Sequence, residues 1–190
     1  NCYNNLGYLY QRIKEYEKAV VFFEKTLLLD LLSGDTNYIA LSYTNLGFVF
    51  MKQNQKEEAK KNYNASINLL PAIKDPYLLA DLYLAASKFY LYTNQLDSAK
   101  LFIDKTQSIC TSNDFPQIQA SVYGARGNYF MKLKMYGQSV FWFDKSLSLF
   151  NSKDITEFLS EIYLSKSEAL AQLNENKRAY DALCMANSTK

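Results

Sequence analysis

Residues 43–50 read YTNLGFVF, and residues 3–10 read YNNLGYLY. Both stretches hold an aromatic anchor, a Leu-Gly pair and a closing aromatic at the same places, 40 residues apart. Carried forward, the interval lands on Tyr83, Tyr123 and Tyr163, so that five tyrosines from Tyr3 onward stand on one grid. A fixed period of about 20–50 residues marks a single supersecondary unit stacked on copies of itself.

The neighbours of the anchor recur too. Three and four residues on come Leu6-Gly7, Leu46-Gly47, Ala86-Ser87, Arg126-Gly127 and Lys166-Ser167, and seven on come Tyr10, Phe50, Tyr90, Phe130 and Leu170. Offsets of 0, 3, 4 and 7 make one face of an α-helix, and its small member lets a second helix approach closely. Phe50 and Tyr90 are therefore expected in the core. Sixteen residues past the anchor stand Ala19, Ala59, Ala99, Ser139 and Ala179, followed at 20 by Phe23, Tyr63, Ile103, Phe143 and Leu183. Thr26, Ser66, Thr106, Ser146 and Ala186 complete that face at offset 23. Each unit is thus read as two antiparallel helices joined by a tight turn.

The punctuation agrees. Mid-unit links hold Asn54, Asn94 and Asn174, with Lys14 and Lys134 in the other copies, where a left-handed residue would end the first helix. Asp35, Asp75, Asp114 and Asp154 stand where helix N-caps are expected, Pro76 and Pro116 fit first helical turns, and Pro71 stops the helix before it. These signals predict ten helices over residues 1–13, 16–32, 36–53, 55–70, 76–93, 95–110, 116–133, 135–150, 155–173 and 175–188. The fold class is all-α, an α-α superhelix of about five antiparallel helix pairs. It is read as one domain, 1–190, with units starting near residues 1, 36, 76, 116 and 155.

The order Tyr43, Leu46-Gly47, Phe50, Ala59, Tyr63, Ser66, Pro71 resembles the tetratricopeptide repeat. Five copies cover essentially the whole chain, and the first two match most fully. Later copies depart: Ala86-Ser87, Arg126 and Lys166 replace Leu-Gly residues, and Ser139 replaces an alanine. A charge at the leucine position predicts an exposed helix edge or a rotated register. The resemblance implies a right-handed solenoid, here with a 40-residue repeat that is longer than the family's usual 34. It also implies protein or peptide binding on a concave side lined by the first helices. One class of the family clamps C-terminal carboxylates with Lys one residue past the anchor. Asn4, Thr44, Leu84, Gly124 and Leu164 stand there in this chain, so that activity is not carried over.

Composition narrows the chemistry. The chain has no His, which removes the usual general base, the Ser-His and Cys-His pairs and the commonest nitrogen metal ligand. It contains no phosphate-cradling glycine loop. Glu57-Glu58 fits the first turn of a helix, where carboxylates favour the dipole. No catalytic residue, cofactor or metal is expected. Cys2, Cys110 and Cys184 form no ligand pattern and are read as buried or half-buried small apolar groups. The net charge of +2 comes from 21 basic and 19 acidic residues without a block of either sign, so a nucleic-acid footprint is not expected. Sixteen Tyr and 12 Phe with Trp142 fall mostly on core offsets. No membrane span or signal peptide is read, and the compartment is open between cytoplasm and periplasm. A start without Met and an end at Lys190 are read as marking a segment of a longer protein.

The candidate groove follows from offsets 1, 5 and 8–9, beside the core face of the first helices. In the middle repeats it comprises Thr44, Phe48, Met51 and Lys52; Leu84, Lys88, Leu91 and Tyr92; and Asn128, Met131 and Lys132. Flexible Met beside Phe and Leu suits a peptide or helix groove. The preferred setting, by analogy with bacterial regulators, is the sensor or regulatory part of a larger signalling or transcription-regulating protein. A structural scaffold that self-associates through its ends, near Leu183, Cys184 and Met185, is the first alternative. A small-molecule or oligosaccharide sensor using Tyr92, Asn128 and Phe48 is the second.

Overall fold

The computed structural model describes residues 2–150 and 157–188. Ten α-helices run through them: α1 (Cys2–Arg12), α2 (Tyr16–Ser33), α3 (Thr36–Lys52), α4 (Lys56–Leu69), α5 (Pro76–Tyr92), α6 (Leu96–Ser112), α7 (Pro116–Lys132), α8 (Tyr136–Leu147), α9 (Glu157–Gln172) and α10 (Asn176–Ser188). A 3-10 turn at Leu70–Ala72 holds Pro71, which cannot donate to a continuing α4. The largest shortfall against the expected spans is at α8, which stops at Leu147. The amide of Ser148 there bonds back to the Asp144 carbonyl.

All five mid-unit residues are left-handed: Lys14, Asn54, Asn94, Lys134 and Asn174 have φ between 58° and 61°. Each lets the chain reverse after about three to five helical turns, so first and second helices lie antiparallel. Asp35 caps α3 through the amides of Asn37 and Tyr38, and Asp75 likewise accepts from Tyr77 and Leu78. Asp114 does not cap. The grid position that Asp35 and Asp75 fill is taken by Phe115, which precedes Pro116 without a side-chain cap, so the aspartate comes one residue too early. Asp154 lies outside the described residues.

The chain forms two compact units, Asn1–Phe89 and Tyr90–Lys190, with the boundary inside α5. In the first, Phe23 is fully buried and packs with Ala19, Leu46 and Val49. Small residues at offset 4 bring the helices together: a Cβ on Gly7 would stand 2.5 Å from the Phe23 ring, and one on Gly47 would stand 2.8 Å from that of Tyr63. Tyr63 in turn stacks on Phe89 at 4.5 Å.

In the second unit Gly127 abuts Phe143 in the same way. Arg126 and Lys166 neither rotate the helices nor stand free at an exposed edge. Both are half-buried and reach back to an aspartate on the preceding second helix, Arg126 to Asp104 at 2.8 Å and Lys166 to Asp144. Arg126 also lies 4.9 Å over the Trp142 ring. An ion pair thus stands where Leu46 packs in the first unit.

Offsets 16 and 23 are buried in every copy, and offset 20 is buried in four. Leu183 is the exception, 39% exposed in α10. The first helices bury more than one stripe. In α3, Ala40, Ser42, Thr44, Asn45, Leu46, Gly47 and Val49 are all buried, because α2 covers one side and α4 the other. The deepest large group is therefore at offset 6, as in Val49 and Phe89, while Phe50 and Tyr90 are half-buried. The anchor tyrosines are half-buried too, apart from Tyr3, which is exposed and sits 6.2 Å from Phe22. Of the cysteines only Cys110 is buried, while Cys2 of α1 and Cys184 of α10 are exposed.

Candidate functional site

In the first unit a polar track links α1 to α3. The Tyr8 hydroxyl donates to Asn45 Oδ1 at 3.1 Å, and Asn45 Nδ2 donates to Asn4 Oδ1 at 3.4 Å. Asn45 is buried, so both ends of its amide are engaged, as a polar group away from water requires. Burial pushes the Tyr8 phenol up, the Asn45 hydrogen bond opposes this, and the nearby Asp81 carboxylate of α5 adds to the rise. Asp81 remains accessible, yet enough protein surrounds its carboxyl to raise its pKa, with Lys88 pulling the other way.

Of the groove residues expected in this unit, Phe48 and Met51 are half-buried and Lys52 and Lys88 are exposed. The Lys52 ammonium lies 5.2 Å over the Phe48 ring, one turn away on α3. Thr44 and Leu84 are interior instead. Thr44 donates to the Ala40 carbonyl and stands 2.8 Å from Ser66 Oγ, and Leu84 is 4% exposed. Both sit at offset 1, which the wider buried arc of a sandwiched helix takes in.

In the second unit Leu91 is buried, Tyr92, Asn128 and Met131 are half-buried, and Lys132 is exposed. Met131 and Lys132 line an open cleft of about 490 Å³ with Lys134, Tyr136, Glu168, Ala171 and Gln172. Its walls mix two ammonium groups with one carboxylate around an apolar floor of Met131 and Ala171. Each unit therefore offers its own accessible polar-apolar surface on the first helices.

The groove offsets, applied to the middle repeats alone, missed Asn4 and Tyr8 of the first copy and Glu168, Ala171 and Gln172 of the last. The same offsets, applied to those copies, would have found all five. Asn45 and Asp81 sit at offsets 2 and −2, outside both the core and the groove offsets, and Asn45 recurs only as Asn5. Among the described residues no helix is long and apolar enough to cross a membrane.

Residues 1–72 match the family model of the tetratricopeptide repeat, and residues 78–184 match that of the Nup85 nucleoporin. No curated protein matches the sequence. Among solved structures, the chain is similar to the Rap conjugation gene regulator of the plasmid pLS20 in complex with the Phr* peptide, at 14% identity and a TM-score of 0.81. That match covers 97% of this chain and 51% of the other. BtubC from P. vanneervenii matches at 13% identity and TM-score 0.72, over 97% and 76% of the two chains. A signal transduction ATPase with a tetratricopeptide repeat sensor from Pyrococcus horikoshii matches at 16% and 0.75, over 98% and 28%. At these identities the likeness is one of fold.

Proposed function

From the match of residues 1–72 to the tetratricopeptide repeat, a family of protein-interaction scaffolds, we propose that the first helices of this chain bind an extended peptide. The reading extends to its setting, as the sensor or regulatory part of a bacterial signalling protein. The observation that carries it is the buried Asn45 amide, tied to Tyr8 and Asn4 on the neighbouring first helix. Such a network holds polar groups in place before a ligand arrives, which lowers the ordering cost of binding. Phe48 and Met51 add apolar contact, and Lys52, Asp81 and Lys88 supply charges of both signs around them. A peptide backbone needs paired donors and acceptors of this kind, and its side chains need adaptable apolar ground.

The similar structures of a regulator holding a peptide and of an ATPase with a repeat sensor support this setting by analogy. The single-domain reading of residues 1–190 belongs to the same proposal. Peptides selected from a random library on the wild-type chain test it. Phe48→Ala and Lys88→Glu should each weaken the selected peptides about tenfold or more at unchanged folding stability, which corresponds to about 1.4 kcal/mol. Equal affinity for both variants would remove the face from consideration.

A second reading, self-association, has its own observation. Leu9 is 51% exposed where the same offset holds Val49, Phe89 and Ala169 at 0–1% and a half-buried Tyr129, and Leu183 is exposed where Phe23, Tyr63, Ile103 and Phe143 are at 0–2%. The cluster of Phe23, Leu46 and Val49 maps by one repeat onto Leu183 of one copy against Leu6 and Leu9 of another, a head-to-tail contact. Light scattering over a concentration series decides it: a mass that stays monomeric throughout eliminates the contact.

A further inference from the structure

Two positions of the 40-residue grid, one near the end of a second helix and one 12 residues later in the next first helix, are buried and apolar in the next two copies. Leu70 and Leu82 are 4% and 2% exposed, and Cys110 and Val122 are 7% and 0%. At the first junction the equivalent residues are Asp30 and Ser42, both polar. Ser42 donates to Asp30 Oδ2 at 2.5 Å. The paired change accompanies a cavity of about 300 Å³ between α1, α2 and α3, lined by Asn4, Thr26, Asp30, Tyr38, Leu41 and Ser42. A half-buried carboxylate without a cation is costly where an apolar pair would pack well. Departures of this kind from a chain's own pattern concentrate at functional sites.

Two hydroxyl hydrogens within the cavity, those of Thr26 and Ser42, are already committed. Thr26 donates to the Phe22 carbonyl at 3.0 Å and Ser42 donates to Asp30, so both hydroxyl oxygens present lone pairs. Among the described residues no Lys or Arg lies within ion-pairing distance of Asp30. The aspartate stands in the last turn of α2, which holds no basic residue, so the negative end of the helix dipole adds to its charge. Carboxylate, dipole and these lone pairs together favour a positively charged donor, with the Asn4 amide and the Tyr38 hydroxyl also lining the cavity.

We propose that this cavity binds an organic cation, the ammonium or guanidinium group of an alkyl amine or basic side chain, with Asp30 as counter-ion. The Thr26 and Ser42 oxygens accept its remaining N–H groups, and Leu41 packs on the alkyl stem. The volume lies at the small end of ligand pockets, about 300–1,000 Å³, which fits one such side chain. The site does not depend on the peptide-binding reading, since free amines probe it without a peptide.

The test titrates the chain with n-butylamine and N-methylguanidine, and with a Lys-containing tetrapeptide beside its norleucine counterpart, followed by calorimetry and by NMR of labelled protein. Saturable binding of a cationic probe is expected, weakened about tenfold or more by the isosteric Asp30→Asn. The double variant Asp30→Leu/Ser42→Leu, which restores the apolar pair of the later repeats, should bind nothing and melt at a higher temperature. A Lys peptide that binds at least about tenfold tighter than n-butylamine assigns the site to a polypeptide side chain, and parity assigns it to small amines. No saturable binding of any cationic probe, or binding that Asp30→Asn leaves unchanged, overturns the proposal. Should the double variant fail to fold, the Asp30→Asn comparison still decides.

Discussion

Replacing Gly47 by Ala would test the close helix contact on which every unit depends. The added methyl would stand 2.8, 3.0 and 3.1 Å from Cδ2, Cε2 and Cγ of Tyr63. Carbon pairs are at their best at about 3.5–4.0 Å, so the ring must retreat by roughly 0.5–1 Å. It has little room, being 2% exposed and stacked at 4.5 Å on Phe89. Overpacking of this kind costs about 1–3 kcal/mol, while Ala in place of Gly inside a helix returns about 0.5–1. The net expectation is a loss of about 1 kcal/mol, with about 2.5 as the upper bound. Gly137 is the control, since nothing lies within 4 Å of its Cβ position, and Gly137→Ala should gain up to about 1 kcal/mol. Urea unfolding followed by far-UV circular dichroism should separate the two variants by about 1 M in midpoint, taking a slope of about 2 kcal/mol/M. If Gly47→Ala proves as stable as Gly137→Ala, α3 and α4 do not approach this closely.

Two further outcomes follow from local geometry. Lys134 holds φ at 58°, which costs a side-chain-bearing residue about 1 kcal/mol, so Lys134→Gly should raise the urea midpoint by a matching amount. Burial pushes the Asp104 carboxyl up, but the hydrogen bonds and charges of Lys100 and Arg126 outweigh it and hold the group below its usual value. A depressed folded pKa stabilises above the unfolded value of about 3.9, and that contribution is lost as pH falls through the lower folded one. Asp104→Asn should therefore be less stable than wild type at pH 7, and the two should converge in acid below about pH 3.9. A gap that persists undiminished at pH 2.5 would show that the pair contributes by packing alone.

The repeat grid made the helices and their turns legible, because a 40-residue period and a helical spacing within it both leave marks in residue type. Asn54, Asn94 and Asn174 announce a left-handed residue directly, whereas Lys14 and Lys134 were readable only through their place on the grid. What the grid could not convey was depth. A helix covered on both sides buries offsets that a one-stripe helix exposes, so Thr44, Leu84 and Leu91 turned out interior, and Val49 and Phe89 lie deeper than Phe50 and Tyr90. The ion pairs of Arg126 and Lys166 were hidden for a related reason: their partners Asp104 and Asp144 lie on another helix, 22 residues earlier in each case. Asn45 carries the polar track, yet its type and position resemble those of a solvated helix residue. Only its partners on α1 distinguish it.

The first helices of residues 2–89 are proposed as the ligand face. Hydrogen exchange read by mass spectrometry, with and without a saturating library-selected peptide, maps that face without mutation. Slowed exchange in α1, α3 and α5, spanning Asn4, Tyr8, Asn45, Phe48 and Asp81, is the predicted result, with α2 and α4 unchanged. Protection confined to α2 and α4 would place the ligand on the opposite helices and contradict the claim.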